Sequence, residues 1–103
     1  MIGTLAQPAG SLALGSLEVD TSSYRASFAG RILELSRSQV ELLAILIANR
    51  HRVVSRVELA TVLGLVRPRS VDVLLSGLRR ELDRPFVRNV RNRGWIVEST
   101  ALA

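Results

Sequence analysis

The chain has 103 residues, nearly half of them apolar, which is enough for one folded domain with its own core. It contains no cysteine, which excludes disulfides and thiolate metal sites, and no apolar run long enough to cross a bilayer. The net charge of +5 is unevenly placed: residues 1–49 carry three arginines and four acidic residues, whereas residues 50–103 carry eleven arginines and five acidic residues. A basic C-terminal half favours an anionic partner, nucleic acid first and a membrane surface second, although a solvated basic face without a partner has the same composition.

The two ends of the chain differ from its middle. Residues 1–11, MIGTLAQPAGS, lack the charged and apolar regions of a secretion signal, and we expect a flexible N-terminal tail there. Residues 12–99 carry the periodic patterns and form the predicted domain, and residues 100–103 are expected to be a C-terminal tail. A cysteine-free chain without an export signal favours a cytoplasmic location.

Residues 12–35 predict a small antiparallel sheet of four strands. LALGSLEVD offers two strands separated by a Gly-Ser turn, and YRASF and RILEL offer two more around an Ala-Gly turn. In RILEL we expect Ile32 to face the core, with Leu33 and Leu35 as further candidates.

The first predicted helix begins at a capping box. Ser36 can accept a hydrogen bond from the backbone of Gln39, whose side chain can reach back to the cap. The helix is expected to end near Asn49 and to be apolar nearly all round, which is typical of a helix in the middle of a domain. Its apolar residues at helical spacing are Val40, Leu43, Ala44 and Ile47.

A second capping box predicts a short helix. Ser55 and Glu58 have the spacing of the cap and its third helical residue, so the helix should span residues 56–63 and end at Gly64. A short link then leads to a third helix, and two helices joined in this way fit a helix-turn-helix.

The third predicted helix, residues 69–82, has the clearest periodicity. One stripe is apolar and faces the core, and Pro85 prevents the helix from continuing into the hairpin expected over residues 86–98. The opposite face is polar apart from one valine. The core stripe comprises Val71, Leu74, Leu75, Leu78 and Leu82, and the opposite face carries Arg69, Val73, Ser76 and Arg80.

Three stretches with this order of elements resemble the winged-helix effector domain of OmpR/PhoB-type response regulators. They are LELSRSQVELLAILIANRHRVVSRVEL, RSVDVLLSGLRREL and VRNVRNRGWIV, and the resemblance covers residues 12–98. It implies an α+β fold, a winged helix-turn-helix with an N-terminal four-stranded antiparallel sheet, three helices and a C-terminal β-hairpin wing. It also implies sequence-specific binding of double-stranded DNA in bacterial transcription control, within a two-component system.

The resemblance implies that the third helix is the recognition helix and enters the major groove, where base edges carry a readable code. Its polar face then supplies contacts to phosphates and bases. Val73 would suit a thymine methyl group, or it is an isolated exposed apolar residue of the kind common on any protein. Asp72 is expected to orient an arginine or to cap the helix start. The candidate DNA-binding residues of this segment are Arg67, Arg69, Ser70, Val73, Ser76, Arg79 and Arg80.

The hairpin is expected to be a wing that reaches the adjacent minor groove. Arg91 matches the wing arginine of the family, and a narrow minor groove attracts arginine. Arg88 and Arg93 are candidates for backbone phosphates, while Gly94 supplies a positive φ for the turn. Trp95 stands where the family has tyrosine and is expected to anchor the wing to the third helix, with base stacking as the alternative.

The sequence departs from the family pattern on the recognition helix. Leu74 replaces a histidine that often contacts phosphate, and Ser76 and Gly77 replace arginines found in many members. A degenerate winged helix that binds proteins, with weak or no specific DNA binding, is therefore the alternative function. The loop between the second and third helices is short, which weighs against a contact with RNA polymerase through it.

The remaining partners and chemistries follow from the same resemblance. RNA polymerase, a missing or separate regulatory domain and a second copy on DNA are candidate partners; a membrane is not, because the third helix uses its apolar stripe in the core. We expect no cofactor, no metal and no enzyme activity, since the lone histidine, His51, lies in a predicted turn without partner ligands.

Overall fold

The structure, a computed structural model, describes Leu5 and residues 8–103. The order of elements confirms the predicted α+β winged-helix fold, with four strands, three helices and a hairpin. Of the flexible tail predicted over residues 1–11, residues 1–4, 6 and 7 lie outside the described residues, whereas Leu5 is buried and Ser11 begins β1. The strands are β1 Ser11–Leu14, β2 Leu17–Asp20, β3 Arg25–Phe28, β4 Arg31–Ile32, β5 Val87–Val90 and β6 Gly94–Val97, and the helices are α1 Arg37–Ala48, α2 Arg56–Leu63 and α3 Ser70–Leu82.

The first four strands form one antiparallel sheet in chain order. Leu17 and Val19 of β2 are buried while Glu18 between them is exposed, as period-two alternation requires. The prediction that Ile32 faces the core is wrong, because Ile32 is 69% exposed; Leu33, the further candidate, is the buried residue. The strand has only two residues, so the core is filled from the segment that follows it.

Helix α1 forms the centre of the fold. Its capping box is present as predicted, with Ser36 Oγ accepting from Gln39 N and Gln39 Oε1 accepting from Ser36 N. Every residue over 42–47 is buried, because the helix contacts the sheet, both other helices and β6. Helix α2 likewise starts at the predicted box of Ser55 and ends at the left-handed Gly64. None of the described helices is long and apolar enough to span a bilayer.

Helix α3 packs its predicted stripe onto this core. Val71, Leu75, Leu78 and Leu82 are buried, and Leu74 is partly buried against them. Gly77 adjoins α1: a Cβ there would meet the amide nitrogen of Gln39, the end of the side chain that caps α1, so that this side chain would have to shift. Of the three departures, those at positions 74 and 77 thus lie on the side of α3 that faces the domain, whereas Ser76 is exposed.

The C-terminal residues are packed, contrary to the tail predicted over residues 100–103. A 3-10 helix spans Ser99–Leu102, and the Leu102 side chain is fully buried. The Leu102 carbonyl accepts a hydrogen bond of 2.6 Å from Ser16 N, in the turn between β1 and β2. The chain end therefore ties the wing to the N-terminal sheet.

Candidate nucleic-acid interface

The outer face of α3 is open along its whole length. Val73 is 72% exposed, and Ser76 and Arg80 are exposed on the same stripe. Within the described part of the chain, Arg80 makes no ion pair or hydrogen bond, so its guanidinium is available to a ligand. The face that the helix would present to a DNA groove is therefore not covered by the rest of the fold.

The link before α3 places two more arginines at the helix start. Arg69 directly precedes α3, which begins at Ser70, whereas the prediction had placed Arg69 inside the helix. The Arg69 side chain makes no capping hydrogen bond. Backbone hydrogen bonds from Ser70 N to Arg67 O and from Asp72 N to Arg69 O wind this link tightly. Arg67 and Arg69 are exposed, and Ser70 is half-buried beside them.

The wing is held against the segment that precedes α2. Val54 N donates to Trp95 O at 2.8 Å, and Trp95 N donates to Val54 O at 2.9 Å. Trp95 is buried, which confirms the packing role and rules out base stacking by an exposed ring, although its main-chain anchor is Val54 rather than α3. Gly94 has the predicted positive φ, of +141°, and a Cβ there would overlap the Val54 carbonyl.

The tip of the wing exposes two arginines. Arg91 and Arg93 flank Asn92, which is left-handed at φ +63° and forms the turn, as predicted. Asn89 also has a local role, because its side-chain amide donates to Gly94 O at 3.1 Å. Neither arginine is engaged through its side chain by another described residue, so both side chains project from a turn whose backbone is fixed.

Two of the predicted arginines have intramolecular partners. Arg79 Nη2 donates to Val87 O at 3.4 Å and so links α3 to the wing. Arg88 Nε pairs with Glu98 Oε1 at 2.6 Å, and Arg88 lies on the face of the hairpin opposite to Trp95, since adjacent strand residues alternate. The structure does not bring Arg88 to the surface formed by α3.

Sequence reasoning missed Arg56, the first residue of α2. Its Nε and Nη2 atoms bond both oxygens of Asp72, at 2.9 and 3.0 Å, and its Cζ lies 5.3 Å from the centroid of the Trp95 ring. Hydrogen bonding to Asp72, and then its charge, raise the pKa of Arg56 above the ordinary value. Asp72 does orient an arginine as predicted, but the partner lies sixteen residues earlier, a pairing that no local pattern encodes.

Arg56 is also where three adjoining depressions of the surface meet. One depression runs to the start of α3, one follows the side of α3 to the wing strand, and one lies under the wing tip. We call the three together the arginine groove. Besides Arg56 and Asp72, it includes Arg67, Arg69, Ser70, Val73, Ser76, Arg79, Asn89, Arg91, Asn92, Arg93 and Trp95.

The comparisons with known proteins agree with this geometry. A profile of the family described as "Transcriptional regulatory protein, C terminal" matches residues 30–97, about two thirds of the chain. The chain belongs to this family. The match includes all three helices and both strands of the wing, and therefore nearly the whole surface just described.

Two curated relatives and one solved structure place the chain within the family. It is 35% identical over 99 residues to the transcriptional regulatory protein CpxR of Escherichia coli, covering 87% of this chain and 43% of CpxR. It is 30% identical to the response regulator PmrA of Pseudomonas aeruginosa over 84% of this chain and 41% of PmrA. The chain thus spans about two fifths of these relatives. The DNA-binding domain of Klebsiella pneumoniae RstA, solved with the RstA box, superposes with a TM-score of 0.77 at 26% identity, covering 86% of this chain and 97% of that one.

Proposed function

We propose that this chain is the DNA-binding part of a transcription regulator, with α3 in the major groove and the wing tip in the adjacent minor groove. The observation that carries the proposal is the arginine groove together with the open face of α3. Exposed guanidinium groups lie on both, and the two surfaces share Val73 and Ser76. The RstA domain has the same fold and was solved in complex with the RstA box, which supports this use of the surface.

The chemistry divides the site into two parts. Phosphate contacts fix position without carrying sequence information, and Arg67, Arg69 and Arg93 are suited to that role because they are exposed and point from turns. Base reading falls to the exposed stripe of α3. Arg80 can bond a guanine there, and Val73 offers an apolar contact to a thymine methyl group. Ser70 and Ser76 can donate to phosphates beside them.

Arg91→Ala is expected to weaken binding to duplexes of every sequence by about tenfold. The side chain projects from a rigid turn and has no intramolecular partner among the described residues, so its loss removes a DNA contact and leaves the fold intact. Fluorescence anisotropy on a random-sequence duplex, over a salt series, should also give a log–log slope shallower by about one.

Arg25→Ala is the matched control for this measurement. Arg25 is exposed and lies on β3 of the N-terminal sheet, away from the arginine groove. Wild-type affinity is expected for it. An Arg91→Ala protein with unchanged affinity and slope would contradict the assignment of the wing to DNA.

Arg80→Ala is expected to change sequence preference at one base pair, by about 1–3 kcal/mol, rather than to weaken all sites alike. Arg80 lies on the open stripe with Val73 and Ser76, which would face the base edges in the DNA major groove. Selection from a random duplex library, with wild-type and variant in parallel, measures the preference. A uniform loss across sequences would assign Arg80 to the backbone instead.

The proposal of further partners rests on the greater length of the relatives. Because the chain spans about two fifths of CpxR and PmrA, we infer that a regulatory domain acts with it, in the same polypeptide or as a separate protein. RNA polymerase and a second copy bound to a neighbouring half-site are the other partners we propose. The role proposed is binding rather than catalysis, and His51, exposed in a turn, is not part of the site.

The protein-interaction module remains a weaker proposal than DNA binding. It was suggested by Leu74 and Gly77, but Leu74 packs against the core and Gly77 adjoins Gln39 of α1, so both lie on the inner side of α3. Their identity therefore says little about the outer face. Absence of binding to random duplex at low salt would favour the interaction module.

A further inference from the structure

Arg56 occupies the junction between the recognition helix and the wing. It is the one described side chain that lines all three depressions of the arginine groove, and it is 47% exposed. A duplex whose major groove holds α3 and whose adjacent minor groove holds the wing tip has a phosphate strand between the two. That phosphate strand would cross the arginine groove of the protein at the position of Arg56.

The hydrogen bonds of Arg56 leave part of its guanidinium available. The group has five N–H donors, and Asp72 accepts one from Nε and one from Nη2. No further hydrogen bond engages Arg56 within the described residues, so three donors remain, two on Nη1 and one on Nη2, and the Nη1–Nη2 edge is free. These are the donors that a second anion could use.

Asp72 and Trp95 fix the direction of that free edge. The two-point bond to the carboxylate sets the plane of the guanidinium, and the Trp95 ring lies 5.3 Å from its Cζ. Asp72 belongs to α3 and Trp95 to β6, so Arg56 touches both DNA-reading elements at once. A carboxylate in a surface meant for DNA repels phosphate, and this unfavourable charge is consistent with a positioning role.

We infer that Arg56 binds the phosphate strand between the two grooves, and that Asp72 is a positioning residue that holds Arg56 for this contact. The inference rests on the proposed DNA-binding function and adds to it a determinant of register. With Asp72 in place, α3 and the wing engage the duplex at one fixed offset. Without it, Arg56 swings freely and bonds any phosphate in reach.

The first test measures the phosphate contact. Arg56→Ala should weaken binding to random duplex by about tenfold and make the salt slope shallower by about one. Arg56→Lys keeps the charge and should retain the wild-type slope. A purely structural role would not predict the shallower slope of Arg56→Ala. An Arg56→Ala protein that is folded and has the wild-type affinity and slope overturns the inference.

Arg37→Ala is the matched control. Arg37 has the same combination of contacts on another part of the fold, with an ion pair to Glu41 at 3.3 Å and its Cζ 4.3 Å from the centroid of the Tyr24 ring. It lies outside the arginine groove. Loss of this similar set of contacts should leave DNA affinity and slope unchanged.

The second test measures positioning by Asp72. Asp72→Asn removes the repulsive charge and releases Arg56, so affinity for random duplex should rise severalfold. The ratio of affinities for a selected site and random duplex should fall by about tenfold. In the Arg56→Ala background, Asp72→Asn should no longer change that ratio, because there is no arginine to position. An unchanged ratio in the Asp72→Asn single variant overturns the positioning role.

The outcomes separate this inference from the proposed function. If the wild-type chain fails to bind any duplex at low salt, the DNA-binding proposal fails. If the wild-type chain binds and Arg91→Ala weakens it, while Arg56→Ala has no effect, only the role of Arg56 fails. Thermal melts by circular dichroism establish that each variant is folded at the assay temperature.

Discussion

Gly94→Ala is expected to displace the wing and to reduce DNA binding at least as much as Arg91→Ala does. Gly94 has φ +141°, a conformation that alanine adopts only with strain of about 1–3 kcal/mol. In addition, the new Cβ would overlap the carbonyl of Val54, a backbone atom that cannot rotate away. The overlap falls within the two hydrogen bonds between Val54 and Trp95 that anchor the wing.

Two measurements test this prediction: a thermal melt of the variant and a titration of its DNA affinity. The melt should show a loss of stability of at least about 2 kcal/mol, the sum of strain and disrupted hydrogen bonds. Gly30→Ala provides the control, because Gly30 also has a positive φ, of +84°, but open space where the Cβ would go. It should lose stability by strain alone and keep its DNA affinity. Equal behaviour of the two variants would show that close packing at Val54 is unimportant.

Local patterns were enough to predict most of the fold. Both capping boxes predict the first residue of their helix correctly, because the cap, its partner and the helix start are neighbours in sequence. The α3 stripe is equally local, since residues three and four apart lie on one face. The outward-facing set on α3 follows from that stripe without any knowledge of the tertiary structure.

The errors and omissions arise where distant residues decide the outcome. In RILEL the apolar residues Ile32 and Leu33 are adjacent, so the alternation has no clear phase, and pairing of β4 with β3 turned Ile32 outward. Arg56 and Asp72 come together only when α2 and α3 cross. Leu102, flanked by alanines near residue 103, carries no periodic signal, and its contact is with the distant turn between β1 and β2.

The buried side chain of Leu102 is expected to contribute strongly to the stability of the domain. Leu102→Ala should lower the free energy of unfolding by about 2–5 kcal/mol, because a fully buried leucine leaves a cavity that the surrounding residues fill only in part. In a domain of this size, each kcal/mol corresponds to about 4–8 °C in Tm. Denaturant titration and a thermal melt measure the loss.

Two controls separate side-chain packing from other effects at the chain end. Leu102→Met keeps the volume and should lose less than about 1.5 kcal/mol, whereas Thr100→Ala, at an exposed position, should change little. Deleting residues 100–103 removes both the side chain and the carbonyl that accepts from Ser16 N, so it should destabilise the chain at least as much as Leu102→Ala. A deletion variant with wild-type stability would contradict the stabilising role of residues 100–103. Because Leu102 lies outside the arginine groove, the folded Leu102→Ala protein should keep its salt slope on DNA, which separates a loss of stability from a loss of contacts.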